Sequence, residues 1–276
     1  MPAYTDAMGR RLEIERPPSR IVSLVPSLTE ALFAFGLGER VAGVTRFCVE
    51  PREGVADKRK VGGTKNVDIA AVRALEPDLI LANVEENTRE DVEALEAAGL
   101  LVFLTYPRTV AGAIDELRLL AAMTGANDAA GPIVAGAEAG LRRAEAANER
   151  RTPLRTFCPI WRNPWMTIGP DTYIHDVLRV CGAQNVYGTS RERYPKVKLV
   201  GQGPSPDQDV ASLAPEVVLL PDEPYRFGEK HIPEVIEALG DIRIYLVDGK
   251  CLCWYGPRIA DSLRTVQRLL WGEDQV

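Results

Sequence analysis

The sequence predicts an α/β protein of two lobes, each a parallel sheet flanked by helices, joined by one long backbone helix. Three observations predict it. From Arg20 onward, short β-branched runs alternate with helical stretches, which is the pattern of a parallel sheet covered by helices. Between Val110 and Arg150 the strand signal vanishes and Ala, Leu, Glu and Arg dominate. After Pro153 the alternation resumes. A chain of 276 residues is long enough for two such lobes. The expected boundaries are 1–125 for the first lobe, 126–150 for the connecting helix and 151–276 for the second lobe.

In the first lobe, Arg20 to Leu24 reads as a strand. Ser27-Leu28-Thr29-Glu30 has the spacing of a capping box, opening a helix that stops at Gly36 or Gly38. Val41 to Val44 is strand-like, Asp68 starts a short helix that Pro77 ends, and Asp78 to Ala82 is a strand. A helix over Thr88 to Ala98, closed by Gly99, precedes a strand over Leu100 to Leu104. The stretch up to Arg150 holds two helices broken around Gly125 to Pro132.

In the second lobe, Arg155 to Ile160 and Trp165 to Ile168 read as strands, and Asp171 to Cys181 as a helix closed by Gly182. A helix over Asp209 to Leu213 and a strand over Glu216 to Leu220 follow. The pattern then gives a helix over Pro233 to Leu239, a strand over Ile244 to Val247, and an Asp248-Gly249 turn. A final helix is opened by Pro257. One internal echo stands out: ALEPDLILANVEEN (Ala74 to Asn87) parallels SLAPEVVLLPDEPY (Ser212 to Tyr225), with Pro77 matching Pro215 and Glu85 matching Glu223. In open α/β sheets ligands bind beyond the carboxyl ends of the strands, so both acidic loops are expected at the ligand.

Composition excludes several functions. With 33 basic against 39 acidic residues and a net charge of −6, the chain lacks the cationic surplus that nucleic acid or an anionic membrane surface requires. No apolar run reaches the roughly 20 residues of a membrane span, so no membrane insertion is expected. The first twenty residues carry Asp6, Glu13 and Glu15 and resemble no secretory leader, which places the chain as written in the cytoplasm; a trimmed mature form would instead be periplasmic. Five cysteines are too sparse for a disulfide scaffold. Cys251 and Cys253, two apart on an expected strand, share a face there.

No catalytic motif is present: GxSxG, HExxH, a phosphate-binding loop and GxGxxG are all missing. Gly62-Gly63-Thr64-Lys65 lacks the spacing that cradles phosphate, and only two histidines, His175 and His231, are available. Aromatic residues carry the stronger signal. Twelve of the eighteen rings follow Thr152, many beside proline or arginine in loops. They include Trp161, Arg162 and Trp165; Tyr194; Tyr225; and Trp254, Tyr255 and Arg258. Loop aromatics with interleaved arginine form either packing lids or a ligand platform with cation–π and carboxylate-binding capacity. Facing charges are expected from Arg46, Lys65, Glu85, Glu86, Asp222 and Glu223.

The runs PPSRIVSLVPSLTEALFAFGLGERVAGVT (Pro17 to Thr45), VGGTKNVDIAAVRALEPDLILA (Val61 to Ala82) and LEAAGLLVFL (Leu95 to Leu104) resemble the class III, helical-backbone substrate-binding proteins of ABC importers. The likeness is closest to the cobalamin-binding branch of that cobalamin, heme and ferric-siderophore family. It implies a non-catalytic protein holding a corrinoid or heme-like metal chelate in an interlobe cleft, with no catalytic cofactor. It also implies an ABC permease as partner; a monomer is expected. By position the resemblance assigns ligand contacts to Phe47, Tyr194, Trp161 to Trp165 and Arg258. Two rim tryptophans of a cobalamin binder align with Thr64 and Asn83. The glutamates that dock onto the permease align with Ala70 and Gln208, with Asp68, Asp207 and Asp209 nearby. Two further readings use the same loops: an enzyme acting on a small polar substrate through Glu85, Glu223 and His231, and a metal-ion binder using these groups with Cys48.

Overall fold

The computed structural model describes residues 2–201 and 209–272. It divides into two compact units, one comprising Met1–Pro107, Gly112–Gly136 and Tyr255–Pro257, the other Arg108–Ala111, Ala137–Trp254 and Arg258–Val276. The chain passes between them along the helix Asn127–Asn148, whose 22 residues span about 33 Å. Within this helix the chain leaves the first unit for the second between Gly136 and Ala137. The break before it is narrower than the sequence suggests. The preceding helix Val110–Thr124 ends just short of Gly125, which adopts φ +70, and Pro132 lies within the long helix, where it forgoes one backbone hydrogen bond.

The first unit is built on a five-stranded sheet in the order Arg59–Lys60, Val41–Val44, Ile21–Ser23, Leu79–Asn83, Val102–Thr105. Every neighbouring pair is parallel. Ile21–Ser23, Leu79–Asn83 and Val102–Thr105 are buried throughout, because helices cover both faces of a parallel sheet and leave no polar side for alternation to report. Val22, Leu24, Ile80, Val92, Leu95 and Leu104 share its core. The chain enters at Ile21–Ser23, builds one neighbour at Val41–Val44, then crosses to the other side for Leu79–Asn83. The topological switch point therefore lies beyond Ser23 and Asn83.

The second unit repeats the plan with four parallel strands in the order Ala183–Asn185, Leu154–Phe157, Val217–Pro221, Arg243–Val247. Its switch point lies beyond Phe157 and Pro221. A second, antiparallel sheet of Pro159–Trp161, Trp165–Thr167 and Lys196–Val197 projects from that end. The single strand expected over Arg155 to Ile160 is thus two strands in different sheets, broken at Cys158.

The internal echo is built in three dimensions by one repeated clasp. In the first unit the Arg20 guanidinium donates to the Leu75 carbonyl, at the C-terminus of the helix Ile69–Ala74. Asp78 accepts from the Ser19 and Arg20 backbone N–H groups at 2.7 and 2.9 Å. In the second unit Arg155 donates to the carbonyls of Leu213 and Ala214, and Glu216 accepts from the Arg155 backbone N–H at 2.9 Å. The residues before the matched prolines, Glu76 and Ala214, are both left-handed, with φ 46 and 42. A cation on the last carbonyls of a helix, followed by a reversed residue, proline and acid, turns the chain into an interior strand of each sheet.

Four local expectations are corrected. The first helix spans Pro26–Ala34 with Val25 as N-cap, so Ser27 lies inside the first turn and the capping box does not form; Pro26, which needs no N–H partner, starts the helix instead. The stretch Asp209 to Leu213 holds only a 3-10 turn, Ala211–Leu213. Cys251 and Cys253 lie on a single helical turn, Lys250–Cys253, where residues two apart do not share a face. The last helix is Ile259–Trp271 with Arg258 as N-cap, so Pro257 precedes it.

Candidate functional site

In the first unit the loop after Leu79–Asn83 is held by Asn83. Its side-chain oxygen accepts from the backbone N–H groups of Glu85 and Glu86 at 2.7 and 3.1 Å, and its amide donates to the Tyr255 hydroxyl at 2.6 Å and to Thr105 Oγ1 at 3.2 Å. Asn87 donates to the Thr64 carbonyl at 2.9 Å, and Lys65 donates to the Glu85 carbonyl, which joins the hairpin Gly62–Val67 to this loop. Glu85 is half-buried and Lys65 exposed. Asn83, at a rim tryptophan position in the resemblance, is therefore a buried pin of loop geometry. Tyr255 is buried too, and burial pushes its phenol well above the ordinary tyrosine range. It braces the Asn83 loop from below.

Phe47 is the exposed ring of this unit, at 48% of its full accessibility, with the Arg46 guanidinium 4.9 Å from its centroid. A Cβ on Gly63 would sit 2.4 Å from Asn66 Oδ1 and 2.9 Å from Arg46 Nη2. The glycine-rich hairpin thus makes room for Arg46 beneath Phe47. Cys48 is buried and takes contacts from Thr29 and Thr45 at 3.1 and 3.2 Å; burial raises its thiol pKa.

In the second unit the switch-point loops carry a continuous aromatic cluster. Trp161 meets Tyr225 edge-on at 5.6 Å, Tyr225 tilts against Phe227 at 4.7 Å, and Phe227 stacks on Trp165 at 5.5 Å. His231 stands edge-on to Tyr225 and Phe227 at 5.6 and 5.3 Å. Trp161 is 44% exposed, whereas Trp165 is buried within the core of the unit. Glu234, on the helix Ile232–Leu239, accepts from Arg162 Nε at 2.8 Å and from Trp165 Nε1 at 3.3 Å. Arg162 is held more basic by Glu234 and, secondarily, by the adjacent Tyr225.

The loop after Val217–Pro221 also delivers Glu223, whose Oε2 accepts from Trp254 Nε1 at 3.0 Å. Burial raises the Glu223 pKa, opposed by that hydrogen bond. Trp254 is buried with Lys250 and Arg258 at 5.3 and 5.1 Å from its ring. Gly249 lets the Glu223 backbone come close, since an added Cβ would fall 2.6 Å from the Glu223 nitrogen. Tyr194 is half-buried, with the Arg193 guanidinium 5.7 Å from its ring.

The structure thus brings Trp161, Arg162, Trp165 and Tyr225 into one cluster, Glu223, Trp254 and Arg258 into another, and Lys65, Glu85 and Tyr255 into the buttressed first-unit loop. Phe227 holds the aromatic cluster together and was visible in the sequence only as one of several loop aromatics. Glu234, which holds Arg162 and Trp165, had no sequence signal, and Asn83 stood out only by its alignment with a rim tryptophan. Of the acids near the permease-docking positions, Asp68 caps Ala71 and Asp209 caps Ala211, beside an exposed Ala70; Asp207 and Gln208 lie outside the described residues. Among the described residues no group of three or more His, Cys, Asp or Glu side chains could hold a metal ion, and no helix is long and apolar enough to cross a membrane.

A family model described as "Periplasmic binding protein" matches residues 21–230. The chain belongs to the periplasmic binding protein family. Relatives of this binding protein include the uncharacterized ABC transporter substrate-binding lipoprotein YvrC of Bacillus subtilis, 25% identical over 96% of this chain and 84% of that one. The vitamin B12-binding protein of Yersinia pestis is 28% identical over 73% of this chain and 69% of its own. In fold it is similar to the periplasmic heme-binding protein RhuT of Roseiflexus sp. RS-1, with a TM-score of 0.76, 22% identity, and coverage of 92% of this chain and 98% of that one.

This is a non-catalytic substrate-binding protein of the ABC-transporter type. The expectation of a cytoplasmic protein is overturned, because the family is periplasmic and its relatives include a substrate-binding lipoprotein. The physical reason is that residues near the start belong to the fold: Ala3–Thr5 pairs antiparallel with Arg11–Glu13. Their polarity reports on a folded hairpin and carries no information about an address segment.

Proposed function

We propose that this binding protein takes a corrinoid, or a related planar metal chelate, as the cargo of an ABC-type importer. The observation that carries the reading is the place of the exposed rings. Phe47 follows the strand beside the first unit's switch point, and Trp161 projects from the switch point of the second, each beside a cation or a second ring. Parallel sheets bind ligands beyond those strand ends, and a large flat chelate offers apolar faces to such rings and amide or carboxylate arms to cations such as Lys65 in the first unit or Arg162 in the second. The vitamin B12-binding relative supports the corrinoid, and the heme-binding fold neighbour makes heme the competitor.

The test is an absorbance titration of purified protein with cyanocobalamin, dicyanocobinamide and hemin. A saturable one-to-one shift with a corrinoid is expected, weakened by Phe47→Ala and by Trp161→Ala. Saturation by hemin alone would transfer the reading to heme. No shift with any of the three would remove the metal-chelate class.

A further inference from the structure

His231 is buried at 4% exposure, yet both of its ring nitrogens are engaged. The Gly228 backbone N–H points at His231 Nδ1 from 3.0 Å. A backbone N–H is a fixed donor, so Nδ1 must present its lone pair. The Gly228 carbonyl, 3.2 Å from the same nitrogen, already accepts the His231 backbone N–H at 2.9 Å and needs no imidazole proton. The ring proton therefore sits on Nε2, which faces the Tyr225 hydroxyl at 3.4 Å. With its oxygen accepting there, Tyr225 keeps its own proton for another acceptor.

We infer that His231 is a positioning residue that makes Tyr225 an obligate hydrogen-bond donor to the bound solute, selecting an oxygen acceptor such as an amide or carboxylate arm. The surroundings agree. Tyr225 is half-buried beneath the exposed Trp161 ring, and Arg162, tied to Glu234, stands beside its hydroxyl. A cation and a phenol donor at one spot attract a ligand oxygen and disfavour a ligand N–H. The inference rests on the metal-chelate reading for the identity of the solute, but the proton placement does not.

The experiment has two arms. In the first, two-bond 15N–1H correlation spectra of the wild-type imidazoles are recorded without ligand at about pH 8, where neutral tautomers are resolved. The chain has only two histidines, so His231→Phe assigns the signals by subtraction. The Nε2–H tautomer is expected at His231; an Nδ1–H tautomer would overturn the inference. In the second arm, cyanocobalamin affinity is compared among Tyr225→Phe, His231→Phe, the double variant and His231→Gln. Each single Phe variant is expected to bind about tenfold more weakly, the double no worse than either, and His231→Gln, which can still donate to Tyr225, to recover most of the loss. Additive losses, or wild-type affinity in His231→Phe, would overturn it. If no chelate binds the wild-type protein, the metal-chelate reading fails while the nitrogen spectra still decide the tautomer.

Discussion

Trp161 and Trp165 lie four residues apart on one hairpin and serve different ends. Trp165 is in the core, stacked on Phe227, with its indole nitrogen donating to Glu234. Trp165→Ala is expected to cost about 3–5 kcal/mol of stability in chemical denaturation. Trp161 is 44% exposed, and Trp161→Ala is expected to change stability by less than about 1 kcal/mol while weakening chelate binding. Equal stability losses in the two variants would show that Trp161 is also packing. Glu116 gives a second residue-scale prediction. It accepts from the Tyr106 N–H at 2.8 Å, its other oxygen is buried with no hydrogen-bond partner among the described residues, and burial raises its pKa to about 7. The unfolded state releases this proton near the ordinary glutamate value and the folded state only near 7. The folded form therefore binds more protons between those limits, and stability falls as pH rises through that window. Denaturation midpoints measured from pH 4.5 to 7.5 should show this decline, and Glu116→Gln should flatten it.

At the scale of elements, each unit depends on its arginine clasp. Asp78 accepts from the Ser19 N–H, the Ser19 hydroxyl and the Arg20 N–H. Asp78→Ala is expected to cost about 1–3 kcal/mol, and hydrogen exchange should speed up first at the edges of Ile21–Ser23. Ala214, at φ 42, carries a Cβ where glycine would be unstrained. Ala214→Gly is expected to stabilise the protein by about 0.5–1 kcal/mol, measured by urea denaturation, and a loss of stability would mean that the clasp imposes no strain there.

For the whole molecule, solute binding should appear as stability. A ligand that binds only the folded chain adds about 2.7 kcal/mol at one hundred times its Kd. Calorimetry with cyanocobalamin at that excess should raise the melting temperature of the wild type, and raise it less in Tyr225→Phe at the same ligand concentration. An unchanged melting temperature under conditions where absorbance reports saturation would mean that the unfolded chain binds equally well.

The chain order of strands and helices was legible from the sequence because β-branched runs, proline and glycine act locally: Val41–Val44 and the helix started by the Thr88 cap need no distant partner to be read. The echo between Pro77 and Pro215 was legible for the same reason. The tertiary structure alone decided which aromatic rings are exposed and which are core, since Trp161 and Trp165 have the same local sequence character and differ only in what Phe227 and Glu234 place against them. It alone showed that Tyr255 and Asn83 brace a loop, through a hydrogen bond that joins residues 172 positions apart. It also split the Arg155 to Ile160 run between two sheets and put Cys251 and Cys253 on a helical turn. Propensity is a property of neighbours along the chain; exposure and hydrogen-bond partners are properties of neighbours in space, which the sheet order sets.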